Sequence, residues 1–146
     1  MKAVVQRVKK ASVTVEDEII GSIEEGLMVL LGVHQDDTLK EIQWIADKLL
    51  KLRIFADDEG KMNRSVSEIK GSILLVSQFT LYGNLKKGTR PSFIEAADPE
   101  KAENLYDTMI QYLREKSELC IETGRFAAKM DVELINDGPV TIILQR

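Results

Sequence analysis

The sequence predicts an α+β fold: antiparallel β-sheets in a barrel-like arrangement with two main packed helices, in a single domain covering residues 1–146. Three observations predict it. The first third alternates apolar and polar residues in short runs, the period of half-buried strands. Two later segments, opening at Thr38 and at Asp98-Pro99, carry helical spacing and their own capping residues. The chain closes on two further strand-like runs. Strands in blocks, with the helices set apart, mark α+β architecture rather than a doubly wound parallel sheet.

Taken in order, Ala3–Val8 and Ser12–Val15 alternate, and Ile19–Ile23 lies between turns at Glu16-Asp17-Glu18 and Glu24-Glu25-Gly26. Leu27–Val33 is a longer buried strand, and the set reads as an antiparallel meander. Thr38 and Glu41 fit a capping box, in which the threonine oxygen takes an orphan amide and the glutamate reaches back. Leu39, Ile42, Ile45, Ala46, Leu49 and Leu50 then line one helix face. Arg53-Ile54-Phe55 reads as a short strand, Asp57-Asp58-Glu59-Gly60 as a turn and Asn63–Lys70 as irregular. Ile73-Leu74-Leu75-Val76 is a fully apolar run of buried-strand length. Asp98 is a good N-cap, and Pro99 suits the first helical position, where a missing N–H costs nothing. Ala102, Leu105, Tyr106, Met109, Ile110 and Leu113 line that helix. Met130–Ile135 and Val140–Leu144 are the last strands, with Asn136-Asp137-Gly138-Pro139 as the turn between them.

Composition narrows the function. At 146 residues, 44% hydrophobic and 30% charged, the chain is globular. No apolar run is long enough to span a bilayer. Charge interrupts the N-terminus, Met1-Lys2-Ala3-Val4-Val5-Gln6-Arg7, too early for a signal peptide, so a cytoplasmic protein without membrane contact is expected. A net charge of −4 argues against coating nucleic acid over a wide face, but not against gripping a short RNA end. The local clusters Arg7, Lys9, Lys10 and Lys86, Lys87, Arg90 each read, taken alone, as solvated surface.

The ionisable inventory is thin. His34 is the only histidine and Cys120 the only cysteine. Cys120, in Leu119-Cys120-Ile121, reads as a buried small hydrophobe, and His34 as a polar loop residue with no motif to make it a base. One His and one Cys form a poor metal donor set, and no phosphate loop of the Walker or dinucleotide type is present, so no metal or cofactor is expected. Two segments remain. Ser77-Gln78-Phe79-Thr80-Leu81 puts hydroxyl and amide side chains at the mouth of a buried strand, where α/β proteins tend to place sites. Asn136-Asp137-Gly138-Pro139-Val140-Thr141 suffices as a turn, but its proline raises the chance of a cis bond that would turn two adjacent carbonyls to one side.

Together these two segments resemble the paired motifs of D-aminoacyl-tRNA deacylases. Met1–Val8 with Arg7, Arg90-Pro91-Ser92-Phe93 and Thr123-Gly124-Arg125-Phe126-Ala127-Ala128-Lys129-Met130 also resemble family segments, in the family's order and over its length. The resemblance implies a homodimeric editing hydrolase acting on the tRNA acceptor end. It would cleave the ester of D-aminoacyl-tRNA, and of mischarged glycyl-tRNA, and reject L-aminoacyl-tRNA. It also implies that a cis Gly138-Pro139 bond enters the partner subunit's site. There the Gly138 and Pro139 carbonyls would hold the substrate amino group, while an L side chain would collide with them. Arg7 would anchor that motif, and Phe126 and Met130 would pack the adenine.

Thr80 invites a nucleophile reading, but a threonine hydroxyl needs an activating base and none is placed by motif. An aminoacyl ester is labile and its ribose carries a neighbouring 2′-OH. RNA-assisted hydrolysis, with the Phe79 and Thr80 N–H groups as an oxyanion pocket and Ser77 and Gln78 orienting the strand end, therefore asks less of the protein. Two alternatives stay open: a noncatalytic module that binds nucleic-acid ends, and a small-ester or amide hydrolase with Thr80 as nucleophile.

Overall fold

The computed structural model describes residues 1–146. Its spine is β1 (Lys2–Val15), a single 14-residue strand where the alternation suggests two. A two-residue turn at Glu16-Asp17 reverses the chain, both residues taking left-handed φ of 52° and 66°. Such turns match the right-handed twist of the strands they join. β2 (Glu18–Ile23) pairs with the far half of β1, and β3 (Gly26–Gly32) with its near half. The three strands are antiparallel as expected, but β2 and β3 both pair with β1, at its far and near halves, and not with each other, so the arrangement is not that of a simple meander.

Thr38 caps α1 (Leu39–Lys51) with both halves of the capping box formed. Ile42, Ile45, Ala46, Leu49 and Leu50 are buried, whereas Leu39, in the first turn, is exposed. A two-strand ribbon follows, β4 (Phe55–Ala56) with β5 (Met62–Arg64). The apolar run becomes β6 (Ser72–Ser77), parallel to β3. Asp98 caps α2 (Pro99–Lys116), its carboxylate accepting from the Lys101 N–H at 3.0 Å. β7 (Cys120–Thr123) pairs parallel to β6, and β8 (Asp131–Gln145) runs antiparallel to β1 along its length.

The sheet is therefore mixed and six-stranded, in the order β2-β1-β3-β6-β7 with β8 on the other side of β1. The parallel pairings follow from the helices, since α1 and α2 are the crossovers that return the chain to the same end. The sheet nearly closes: a Cβ on Gly21 of β2 would stand 2.7 Å from the Thr123 carbonyl oxygen of β7. Together with two packed helices in one domain, this is the α+β near-barrel of the sequence reading.

Both faces of β3 and β6 are buried, which is why their sequences are unbroken apolar runs. Leu27, Val29, Leu31, Ile73 and Leu75 face the helices with Ile45, Leu49, Met109 and Leu113. Met28, Leu74 and Val76 face the opposite way with Val8, Ala11 and Val13. Each such side chain contributes about 1.5–3 kcal/mol on burial. Cys120 corrects its expectation. On β7 the side chains alternate, Ile121 points inward, and Cys120 is exposed.

Candidate active site

The pairing of β3 with β6 ends at Leu31 and Ser77, and the Gln78 N–H extends it by donating to the Leu31 carbonyl at 2.8 Å. The chain then leaves the sheet as one 3-10 turn, Phe79–Tyr82. Leu81 N–H donates to the Gln78 carbonyl at 3.3 Å and Gly83 N–H to the Thr80 carbonyl at 2.9 Å. The Phe79 and Thr80 N–H groups come before the first of these bonds and have no acceptor within the turn. Phe79 and Thr80 are both exposed.

Beside this strand end lies a cleft of about 560 Å³. Ser77, Gln78 and Phe79 form one wall, and Phe126, Ala127, Ala128 and Met130 another. Phe93 meets Phe79 edge-on with ring centroids 5.0 Å apart, and Tyr106 tilts against Phe126 at 6.1 Å. Tyr106 donates its hydroxyl to the Leu75 carbonyl at 2.7 Å, and burial pushes its pKa well above the usual phenol range. It is the only ionisable side chain on the cleft wall, and it is committed to a backbone partner. Sequence periodicity marks Tyr106 only as core; its hydroxyl, on an otherwise apolar helix face, was the available sign of a second role.

Thr80 stands at the rim, its hydroxyl accepting a hydrogen bond from the Gln78 side-chain amide. His34 lies elsewhere. Its ring tilts over Tyr82 at 5.3 Å and its Nδ1 accepts from the Asp36 N–H at 3.2 Å, as suits a polar loop residue. No three His, Cys, Asp or Glu side chains converge on one point.

The second motif is not a turn between two strands. β8 runs unbroken in direction through Asn136–Thr141, because its two halves pair with the same strand, β1. Val8 faces Asn136 and Gln6 faces Thr141, so Asp137-Gly138-Pro139-Val140 is an arch standing opposite the single residue Arg7. Local sequence does not distinguish such a bulge from a reversal, because Asn, Gly and Pro favour both. Arg7 holds the arch: its Nε lies 3.1 Å from an Asp137 carboxylate oxygen and donates to the Asp137 carbonyl at 3.2 Å, while Nη1 donates to the Ile54 carbonyl at 2.5 Å. Asn136 closes the base, Oδ1 accepting from the Val140 N–H at 2.9 Å and Nδ2 donating to the Thr141 hydroxyl at 3.1 Å.

The Gly138-Pro139 bond is cis. Gly138 has φ of 127°, and a Cβ there would lie 2.7 Å from Val140 Cγ2 and 3.1 Å from Arg7 Nη2, so only glycine fits without strain. Gly138 and Pro139 are exposed at the crown. Within one chain, then, Ser77, Gln78, Phe79, Phe126 and Met130 share the cleft, with Thr80 on its rim, while Arg7, Gly138 and Pro139 form a separate cluster on the β1–β8 side.

A protein-family profile described as D-Tyr-tRNA(Tyr) deacylase matches residues 4–145. The chain is 58% identical over 144 residues to the D-aminoacyl-tRNA deacylase of Desulfotalea psychrophila, covering 99% of this chain and 96% of that protein. It is 57% identical over 145 residues to that of Brevibacillus brevis, covering 99% of each. Among solved structures it is similar to one described as c-Myc DNA Unwinding Element Binding Protein, with a TM-score of 0.96 and 46% identity over 100% of this chain and 99% of that one. A second, described as a probable eukaryotic D-amino acid tRNA deacylase, superposes with a TM-score of 0.82 at 19% identity, covering 98% and 97%, and shares the fold.

Proposed function

The chain belongs to the D-Tyr-tRNA(Tyr) deacylase family and is a hydrolase, a D-aminoacyl-tRNA deacylase; from that premise we propose how its two clusters divide the work. The cleft takes the terminal adenosine, with Phe126 and Met130 packing the base. The Phe79 and Thr80 N–H groups meet the oxyanion that develops when water adds to the ester carbonyl. The neighbouring ribose 2′-OH assists departure of the ester oxygen, and Ser77 and Gln78 orient the strand end. The products are free D-amino acid and tRNA.

One observation carries this reading. The cleft wall offers aromatic and apolar surface beside a strand end, but no side chain able to act as an acid or base near neutral pH. Positioning and charge stabilisation are what such a wall can supply, and one oxyanion donor is worth about a hundredfold to a thousandfold in rate. A substrate that brings its own hydroxyl needs little more.

Chirality falls to the arch. In this reading Gly138 and Pro139 of a second copy enter the cleft, and their carbonyls hold the substrate α-amino group. An L side chain meets them and a D side chain points away, so D-aminoacyl-tRNA and glycyl-tRNA are cleaved and L-aminoacyl-tRNA is not. The exposed crown and its hold on Arg7 support the arch as a rigid projection. Val132, Ile135 and Ile143, exposed on the same strand, support a homodimer formed there. No helix is long and apolar enough to cross a membrane; the proposed setting is the cytoplasm, where charged tRNA is found.

The noncatalytic alternative gives way to family membership, since the matching family profile and the two curated relatives are described as deacylases, although one similar solved structure is described as a DNA-binding protein. The direct experiment incubates the protein with D-Tyr-tRNA and L-Tyr-tRNA, each ending in adenosine or in 2′-deoxyadenosine. Release of D-Tyr alone, slowed by about a hundredfold or more without the 2′-OH, is expected if the hydroxyl takes part. Full-rate cleavage of the deoxy substrate would sink the RNA-assisted step, and release of L-Tyr would sink the chiral filter.

A further inference from the structure

We propose that the cleft has a cationic rim that grips the phosphates of the single-stranded RNA leading to the terminal adenosine. Lys86, Lys87 and Arg90 lie on one side of it and Lys129 on the other. The proposal rests on the deacylase reading above.

The first observation is charge segregation. Two segments supply the cleft's polar rim and its base platform, Ser77–Ile94 and Thr123–Met130. They carry Lys86, Lys87, Arg90, Arg125 and Lys129 and not one carboxylate, whereas the third lining segment, Ala96–Tyr106, carries Asp98, Glu100 and Glu103 beside Lys101, so the cleft's surroundings stay cationic on balance. The chain as a whole has 20 Lys and Arg against 24 Asp and Glu. Glu95, Glu122 and Asp131 bound these segments; like the cations they stand outside the cleft wall, and Glu95 shares a neighbouring depression with Lys86 and Lys2. A local excess of positive charge on an acidic protein raises the concentration of an anionic ligand at that spot and nowhere else.

The second is that these cations are free. Lys86, Lys87, Arg90 and Lys129 are exposed and enter no ion pair; Arg125 alone has a carboxylate within reach, Glu16 at 3.8 Å, with both side chains exposed. Cations that served only solubility would gain from neighbouring carboxylates, which this acidic chain has to spare.

The third is attachment. The loop bearing Lys86, Lys87 and Arg90 is tied at its base by paired bonds between Asn84 and Ser92, at 2.8 and 3.0 Å. Gly83, which follows the 3-10 turn, and Phe93, which lines the cleft, close the same base: a Cβ on Gly83 would lie 3.1 Å from the Phe93 ring. The Asn84 side chain further fixes the loop by accepting from the Lys86 N–H at 2.9 Å. The loop therefore projects from the cleft rim as part of it. A nucleotide chain whose last base occupies the cleft leaves past these side chains.

The test compares two esters, D-Tyr-tRNA and D-tyrosyl-adenosine, which lacks every phosphate, between about 50 and 200 mM salt. For the variant K86Q/K87Q/R90Q, the ratio of kcat/KM on the tRNA ester to that on the adenosine ester falls about tenfold at the low-salt end, and the log–log salt slope for the tRNA ester becomes shallower by about 2. K129Q alone lowers that slope by about 0.7. A ratio and slope equal to the wild type's in the triple variant would overturn the proposal, as would an equal loss on both esters, which would place the defect in the cleft. Wild-type protein that cleaves both esters without any salt dependence overturns the rim alone; one that cleaves neither overturns the deacylase reading with it.

Discussion

At Thr80 the backbone and the side chain lead to opposite expectations. The hydroxyl is engaged by the Gln78 amide and no base reaches it, while its N–H heads the 3-10 turn. Thr80→Ala keeps the N–H and is expected to hold kcat on D-Tyr-tRNA within about fivefold, whereas loss of an oxyanion donor costs a hundredfold or more. Single-turnover kinetics on the folded variant decide, and a loss of that larger size would restore Thr80 as nucleophile. Gly138→Ala is the complementary case. Its φ of 127° and the 2.7 Å approach to Val140 force the crown to move. The strain is about 1–3 kcal/mol at an exposed site, so the melting temperature should shift by only a few degrees. Activity on D-Tyr-tRNA should fall by more than tenfold, because small displacements of positioning groups are costly. Kinetics and a thermal melt on the same preparation separate the two effects.

The elements differ in how far local sequence specifies them. Thr38 with Glu41 and Asp98 with Pro99 are read correctly because a cap is made by residues within one turn of each other. Thr38→Ala is expected to lower unfolding free energy by about 1 kcal/mol in urea titration. Gly26→Ala should do far more, at least about 3 kcal/mol, because its Cβ would lie 2.0 Å from the Ser72 carbonyl oxygen on the neighbouring strand. If Gly26→Ala melts with the wild type, that close approach is not needed. The strand pairings were the hidden part. Whether Asn136–Pro139 reverses or arches depends on β1, more than a hundred residues away in sequence, and the same holds for the central place of β1. Cys120 was misjudged for a related reason: inside Leu119-Cys120-Ile121 the facing of each side chain depends on strand register, which three apolar residues in a row do not reveal. For the candidate site, the strand-end segment was legible as polar groups after a buried run. The cleft wall from α2 was not, because Tyr106 carries the same helical spacing as its core neighbours.

For the molecule as a whole, the two clusters within one chain have a direct consequence. If the arch serves a second copy, a protomer defective at the cleft (Phe126→Ala) and one defective at the arch (Gly138→Ala) should regain activity when unfolded together and refolded as a mixture, since mixed dimers hold one intact site. Mixtures no more active than their parts would confine the site to one chain. Ile143→Asp on the exposed strand should shift sedimentation from dimer to monomer and remove deacylation with it. The pairing of β1 with β8 also bears on synthesis. It joins the second residue of the chain to the 145th and continues to Thr14 with Asp131. Contacts of such sequence separation form late and slowly. A nascent chain that has emerged only through β7 has the residues of both helices and of the strand end, but one flank of β1 lacks its partner and Arg7 has no arch to grip. The part assigned to telling one hand of the substrate from the other thus leaves the ribosome after the parts assigned to hydrolysis.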